Sequence, residues 1–440
     1  LAQTDRSVTI SRWIVGTPMV LEQRFTLDAE QPYHLQHELR LRNQGDDLLA
    51  IPTMTLDAGL IEPLDAPSGF FGSAGIDQSL AVRPADKADP KSYPVAKIVK
   101  MKPEDLQETS ALPSKWLAVQ NKYFTSVLMT PEGQNFTGYQ LHAPPQLDEA
   151  GGVRPDRHLI GGTVSFTSLP LAAGESRAWV INAFIGPKNF GLLKEQGSRL
   201  EDIMNFDLFL FFHFGWMEKI SRLILWAVLG LHDQFGSYGL AIIIITLILR
   251  TIFWPLTHQS TMLSRKMQKI QPLAAEIREK YKSDPQKMQS KTMELYKQHK
   301  VNPITGCLPM LLQVPVFFAL FNVLRSSIEL RQAEWLWVHD LSIPDTIFTF
   351  PWVNLPLNPL AITMGAGMIL QQRLMPTSAD PAQQKMMGFM SLFFVFICYS
   401  MPSGLTLYWT VNQICSIVQY KLTHVMLDRK EPTAGKPVKA

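Results

Sequence analysis

Arg250 directly follows the apolar run from Ala241 to Leu249, in which Thr246 is the single polar residue. A charged side chain in such a helix either extends its head to the membrane interface or faces a wet cavity. Thr246, four residues earlier, lies on the same helical face, and Gln313 sits at comparable depth in the next long apolar segment. No Asp or Glu occurs in any of the apolar segments assigned below as spans. Arg250 therefore has no carboxylate partner there and must be solvated by water, polar side chains or a ligand. The chemistry open to it is electrostatic: a positive site in a wet cavity of an apolar bundle attracts acidic groups more strongly than bulk water allows. On that basis a lysine would serve, because a point charge does not need the guanidinium fork. Nucleophilic and metal chemistry find little support. Cys307, Cys398 and Cys415 lie in or beside apolar runs. His34, His37, His142 and His158 lack ligand spacing and carboxylate company, and read as solvated strand residues. No metal or cofactor is expected.

The elements that must position Arg250 follow from hydropathy. The chain has 440 residues, 46% of them hydrophobic, with 24 Phe and 19 Met, and nearly every long apolar run lies after Phe206. Five segments reach membrane-crossing length with their flanks, about 236–255, 304–324, 356–372, 386–401 and 405–425. The last tolerates Asn412, Gln413 and Gln419 only if they face protein or water, where such groups knit helices together. Ahead of these, 206–235 is apolar but carries Glu218, Lys219 and Arg222. At roughly 2.5–3.5 kcal/mol for a charge at the centre of a span, insertion is opposed. Ile220, Leu223, Ile224, Ala227, Val228 and Leu231 repeat at helical spacing, with Glu218 and Arg222 paired four apart, as in an amphipathic helix lying in the interface.

Charge sets the orientation. Residues 261–301 hold ten Lys/Arg against four Asp/Glu, whereas 325–355 hold two against four. The positive-inside rule puts the first segment in the cytoplasm and the second outside, where Trp335, Trp337 and Trp352 suit the interface. The basic segment reads as a helical hairpin broken at Ser283-Asp284-Pro285, with Asp284 as N-cap and Pro285 as first helical residue. Two amphipathic arms suggest docking of a ribosome, a targeting factor or an acidic nascent chain. The net charge of +3 is too small to suggest nucleic-acid binding.

The part before about residue 200 alternates polar and apolar residues with period two. Tyr33, Leu35, His37, Leu39 and Leu41 share one face, and His34, Gln36, Glu38, Arg40 and Arg42 the other. Similar runs at 8–15, 20–27, 116–129 and 179–185 suggest an antiparallel sandwich. With an odd number of spans and a cytoplasmic hairpin, this domain lies outside and the C-terminal tail inside. No signal peptide is visible and the first residue is Leu1, so an N-terminal signal-anchor helix is expected to precede this sequence.

Several motifs carry a resemblance to a known family. The run Ile242 to Arg250, Pro255-Leu-Thr257, Asn302-Pro303, Leu311-Leu-Gln313-Val-Pro315-Val-Phe317, Leu330-Arg-Gln-Ala333, His339-Asp-Leu341 and Pro402-Ser-Gly-Leu-Thr-Leu-Tyr408-Trp409 occur in that order. They resemble the core of the YidC insertases, relatives of the mitochondrial and chloroplast insertases. The first part is similar, more weakly, to the periplasmic domain of the Gram-negative type, a β-supersandwich related in fold to sugar mutarotases. The resemblance implies an α+β multidomain protein of the bacterial inner membrane. Residues 1–200 would be the periplasmic sandwich and 201–235 a linker with the interfacial helix. A five-helix membrane domain would span 236–427, including the 261–301 hairpin, with a cytoplasmic tail at 428–440. It implies an insertase and chaperone, not an enzyme, that passes nascent membrane segments along a hydrophilic groove lined by Thr246, Arg250, Gln313 and Trp409. Expected partners are nascent membrane proteins, the Sec translocon, a ribosome or targeting factor at the hairpin and tail, and membrane lipids. Two alternatives stand beside it. A transporter or channel would need ionisable relays or repeated halves, and a mutarotase-like enzyme would need a convergent His and Glu pair; neither is evident.

Overall fold

The alternation read between Tyr33 and Arg42 becomes the strand His34–Asn43, with His37, Leu39, Leu41 and Asn43 buried and Gln36, Arg40 and Arg42 exposed. Its antiparallel neighbours are Met19–Leu27, which sets Leu21 opposite Leu41, and Ser176–Pro187, which sets Trp179 opposite Leu39. These strands form the middle of a nine-stranded sheet that runs, edge to edge, Ala2–Gln3, Ser7–Trp13, Met19–Leu27, His34–Asn43, Ser176–Pro187, Phe124–Met129, Ser114–Gln120, Ser79–Pro84 and Lys91–Pro94. A three-stranded sheet of Gly138–His142, Ile160–Ser165 and Thr55–Ile61 contributes to the same apolar core, where Tyr139, Leu141, Ile160 and Val164 join Leu39, Leu80, Leu117, Val119 and Ile181. The computed structural model describes residues 2–4, 6–51, 53–64, 78–87, 89–109, 111–148, 151–167, 169–206, 208–209, 212–213, 215–299, 308–352, 355–374 and 381–430. Cys307, Asn302 and Pro303 lie outside the described residues, as does the tail beyond 430.

Two readings of this region are corrected. The run 116–129 is two strands, because the Asn121 side-chain oxygen accepts from the backbone N–H groups of Tyr123 and Phe124 at 3.1 and 2.9 Å and turns the chain. The histidines are not uniformly solvated. His37 is 5% exposed, stacked on Phe25 with ring centroids 4.3 Å apart, and burial holds its pKa below the ordinary value. His34 and His142 do have carboxylate company, Asp28 at 3.9 Å and Asp57 at 3.8 Å. Among the described residues no three His, Cys, Asp or Glu gather as metal ligands.

One compact unit of the chain reaches Met204 and a second begins at Asn205. The second is helical. Its first helix, Gly215–Phe235, carries the Glu218–Arg222 ion pair and buries Met217, Ser221, Ile224, Leu225 and Val228, with the Ser221 hydroxyl donating to Phe206 O at 3.0 Å. Leu223 and Trp226 are 63% and 73% exposed. The apolar face read from spacing is therefore split: one side packs inward and the other stays open, because Ile224 and Leu223 point in directions a helical step apart.

The next helix, Tyr238–Lys280, runs unbroken for 43 residues through Pro255 and Pro272. The sequence placed the end of a span near Pro255 and a separate arm after Thr261; instead one helix runs through both segments. At about 1.5 Å per residue the helix is roughly 65 Å long, twice the roughly 30 Å thickness of a bilayer's hydrocarbon layer. Pro285–Gln298 forms the second arm, with Asp284 accepting from Lys287 N–H and Pro285 in the first turn. Ile270, Ala274 and Leu295 are the buried contact of the two arms. The remaining long helices are Leu308–Ser326, Pro359–Leu374, Pro381–Cys398 and Ser403–Lys430. Among the described residues one stretch, Tyr238–Leu263, is long and apolar enough to cross a membrane by length and composition.

A close approach fixes the start of the long helix. A Cβ added at Gly239 would lie 2.1 Å from the Trp335 indole. Gly239→Ala is expected to displace Trp335 and cost about 1–3 kcal/mol, as overpacking does. A thermal melt of the detergent-purified protein checks this; an unchanged midpoint would show that Trp335 moves freely.

Candidate functional site

Two helices meet along a polar seam. On Ser403–Lys430 the residues Asn412, Ser416, Gln419 and Thr423 follow at steps of four, three and four, which places them on one face. On Tyr238–Lys280 the residues Arg250, Thr257 and His258 face them. Arg250 Nε donates to Asn412 Oδ1 at 2.6 Å, and its Nη2 donates to Asn412 O at 3.0 Å and to Ser416 Oγ. Gln419 donates to the Thr257 hydroxyl, and His258 Nδ1 lies 3.2 Å from Thr423 Oγ1. Asn412, Gln419 and Thr423 are buried. The guanidinium is therefore solvated by side chains and a backbone carbonyl, with its charge uncancelled by any carboxylate in these contacts.

The four residues expected at a groove fare differently. Arg250 is half-buried and held as described. Thr246 is fully buried and turns its hydroxyl onto its own helix, donating to Ile242 O at 2.6 Å. Gln313 donates to the Tyr408 hydroxyl, and Tyr408 is almost wholly buried. Trp409 is half-buried between Phe317 and Phe394, with centroids 5.2 and 4.6 Å away. With its amide oriented to satisfy both neighbours, Gln413 accepts from Trp409 Nε1 and donates to Met364 O, each at 3.0 Å. Thus Arg250 meets the Tyr408–Ser416 stretch, Gln313 joins the same stretch through Tyr408, and Thr246 faces its own backbone. The Trp409 indole N–H is thus engaged within the bundle.

Asn412 and Gln419 were read as groups that knit helices, and they do; their pairing with Arg250 and Thr257 was not read. The signal was present in the spacing of Asn412, Ser416, Gln419 and Thr423, matched by Arg250, Thr257 and His258 on the other helix. What the spacing lacks is the register that sets Arg250 opposite Asn412.

The far end of the last helix is pinned by the 339–345 loop. Ser403 N–H donates to Ile343 O at 2.8 Å, Gly404 N–H donates to Leu341 O at 2.9 Å, and the Ser403 hydroxyl donates to Asp340 O at 3.0 Å. Asp345 accepts from Leu360 N–H at 2.6 Å and from Trp337 Nε1 at 3.3 Å, capping the Pro359–Leu374 helix. Burial raises the Asp345 pKa while these donors lower it. Asn358 accepts from Thr346 and donates to Tyr399 O, each at 2.7 Å. The motifs His339-Asp-Leu341 and Pro402-Ser-Gly404 are thus two halves of one clamp.

The β unit offers an open cavity of about 890 Å³ lined by Tyr33, Leu60, Ile61, Phe124 and Ile185. Among the described residues no Asp, Glu, His, Lys or Arg lines it.

Residues 230–430 match the family model described as 60Kd inner membrane protein, and residues 2–227 match that of the YidC periplasmic domain. A membrane protein insertase YidC of Geobacter sulfurreducens is 36% identical over 413 residues, covering 92% of this chain and 68% of that protein. One of Pelobacter propionicus is 40% identical over 322 residues, covering 72% of this chain and 56% of that protein. The chain thus spans between about half and two thirds of the relatives it matches. A crystal structure of an active YidC insertase with its first transmembrane domain resolved aligns over 95% of this chain and 76% of that one, with TM-score 0.40 and 21% identity.

Proposed function

The chain belongs to the YidC family of membrane protein insertases, and from that premise we propose that it inserts, folds and helps assemble integral proteins of the bacterial inner membrane. The observation that carries the mechanism is Arg250, a cation bonded to Asn412 and Ser416 on the polar seam between two long helices. A polar stretch of nascent chain entering beside it gives up little hydration, while the attached apolar segment moves along the helices into lipid. The barrier falls without nucleotide hydrolysis or a catalytic step. Arg250, Gln313 and Trp409 line the path, and Thr246 supports it from within the helix. Arg250 supplies attraction for acidic residues, and Phe317, Phe394 and Trp409 supply an apolar wall that tolerates many sequences.

In this reading the long helices form five spans, with the β domain periplasmic and the C-terminus cytoplasmic. The basic hairpin then lies in the cytoplasm, where its ten Lys/Arg suit a ribosome or targeting factor, and the Sec translocon is a partner in the membrane. Reconstitution of the purified chain into liposomes, with a small single-span substrate and no ATP or ion gradient, tests the function. Protease-protected insertion above that of empty liposomes is expected. Insertion no better than with empty liposomes, by a protein shown to be folded, would refute it; coupled movement of a small solute would favour a transporter.

A further inference from the structure

The loop before the Pro359–Leu374 helix contains a short β-hairpin, Phe348–Phe350 paired antiparallel with Leu355–Leu357. Its register sets Phe348 opposite Leu357 and Phe350 opposite Leu355, and directly opposed side chains share a face. Phe348, Phe350, Leu355 and Leu357 therefore make one apolar face, with Thr349 and Pro356 on the other. The two Phe rings meet edge to face at 5.1 Å. This face is open: Phe348 is 51% and Leu355 52% exposed, and Trp352 in the connecting turn is 93% exposed. From residue 341 to 372 the one charged residue is Asp345, and it is buried against Leu360 N–H.

We propose that this hairpin is a lipid-inserting wedge, which dips its Phe and Trp side chains into the outer leaflet beside the span that follows. The inference rests on the reading of Pro359–Leu374 as a membrane span. Two features select lipid over a protein partner. The hairpin ends at Leu357, two residues before that helix, so the bilayer surface lies within its reach, and the exposed apolar side chains continue down the helix at Ile362, Ile369 and Leu370. The exposed face also carries no charge with which to pair a partner, whereas exposed Trp and Phe without charge suit the headgroup boundary. The hydrogen bonds of Asn358 with Thr346 and Tyr399 O, and of Asp345 with Leu360 N–H, tie down the base of the hairpin, so the wedge would set the depth of the neighbouring helix.

The test uses the full chain with Cys307, Cys398 and Cys415 replaced by Ser. Trp352→Cys is labelled with an environment-sensitive fluorophore in liposomes of phosphatidylethanolamine and phosphatidylglycerol. Ile369→Cys is labelled separately as a marker of the span. Trp352 is too exposed for its replacement to threaten folding. The expected result is blue-shifted emission at position 352, quenched more by lipids brominated near the headgroup than by lipids brominated deep in the chain. The probe at 369 should be quenched more by deep bromine. Quenching of the 352 probe by aqueous iodide with no response to brominated lipid overturns the wedge. A blue-shifted 352 probe that responds to neither quencher also overturns it, because protein then covers the face. If the 369 probe is itself untouched by brominated lipid, the membrane reading fails and the wedge with it.

Discussion

Arg250→Ala is expected to reduce insertion of a substrate with an acidic translocated stretch by roughly fivefold to several hundredfold, and to affect a matched neutral substrate much less. The range follows from an attraction of about 1–4 kcal/mol at about 4 Å, between water-like and surface-like dielectric, with 1.4 kcal/mol per tenfold. The structure changes what to expect of the conservative replacement. Sequence alone left Arg250 without a fixed partner, so that lysine would do as well. In the fold its Nε and Nη2 both reach the Asn412–Ser416 turn. A single ammonium cannot satisfy that set from one position. Arg250→Lys should therefore keep the preference for acidic substrates, since the charge remains, yet lower the thermal midpoint of the purified protein. Asn412→Leu should act in the same way from the other helix: the charge stays, but a hydrogen bond to a charged group worth about 1.5–3 kcal/mol is lost. The measurement is insertion of paired substrates differing only in the charge of the translocated stretch, with membrane level and melting checked for each variant. Equal loss for both substrates in Arg250→Ala would make the residue a structural tie between two helices and remove electrostatics from the mechanism.

How much of this was legible in the sequence depends on the range of the interaction. Period-two alternation located His34–Asn43 closely, because a strand with one buried face must repeat at two. Asp284 and Pro285 marked a helix start because capping is local. The hairpin turn at Asn121 was passed over: the apolar residues on both sides ran together, and the side-chain oxygen that bends the chain gives no hydropathy signal. Pro255 misled in the opposite direction. It reads as a helix end, yet it removes one hydrogen bond in a helix that continues for 25 residues to Lys280. In the site, Arg250 could be found because a charge in an apolar run is costly wherever it lies. Its partners could not, since nothing local to Asn412 says which helix it faces. Thr246 illustrates the same limit: sharing a face with Arg250 did not decide whether its hydroxyl would reach out or bond to Ile242 O, and a short side chain in a helix readily bonds to the carbonyl four residues back. The exposure of Leu223 likewise turns on which neighbouring helix takes the Ile224 side, a tertiary choice.

Phe136→Ala should destabilise the β unit more than any of the site variants. Phe136 is fully buried, packs edge to face on Phe166 with centroids 5.5 Å apart, and belongs to the core cluster that includes Leu117, Tyr139 and Val164. Its backbone is fixed as well: Phe136 N–H donates to Ser114 O at 2.8 Å and Ser114 N–H donates back to Phe136 O at 3.1 Å. With the ring packed on Phe166 inside a fully buried core cluster, the site has little room to collapse around alanine, so a cavity cost of about 3–5 kcal/mol is expected. Domains of this kind are stable by only about 5–15 kcal/mol, so a large share of the total is lost. Val15→Ala, at a residue 96% exposed, is the control and should stay within about 0.5 kcal/mol. Pulse proteolysis of the full chain across a urea series, following cleavage before residue 200, measures both. At about 1–3 kcal/mol per molar urea for small domains, the Phe136→Ala midpoint should fall by roughly 1–5 M while the control hardly moves. Coincident midpoints for the two variants would mean that the ring does not bear on the stability of this core.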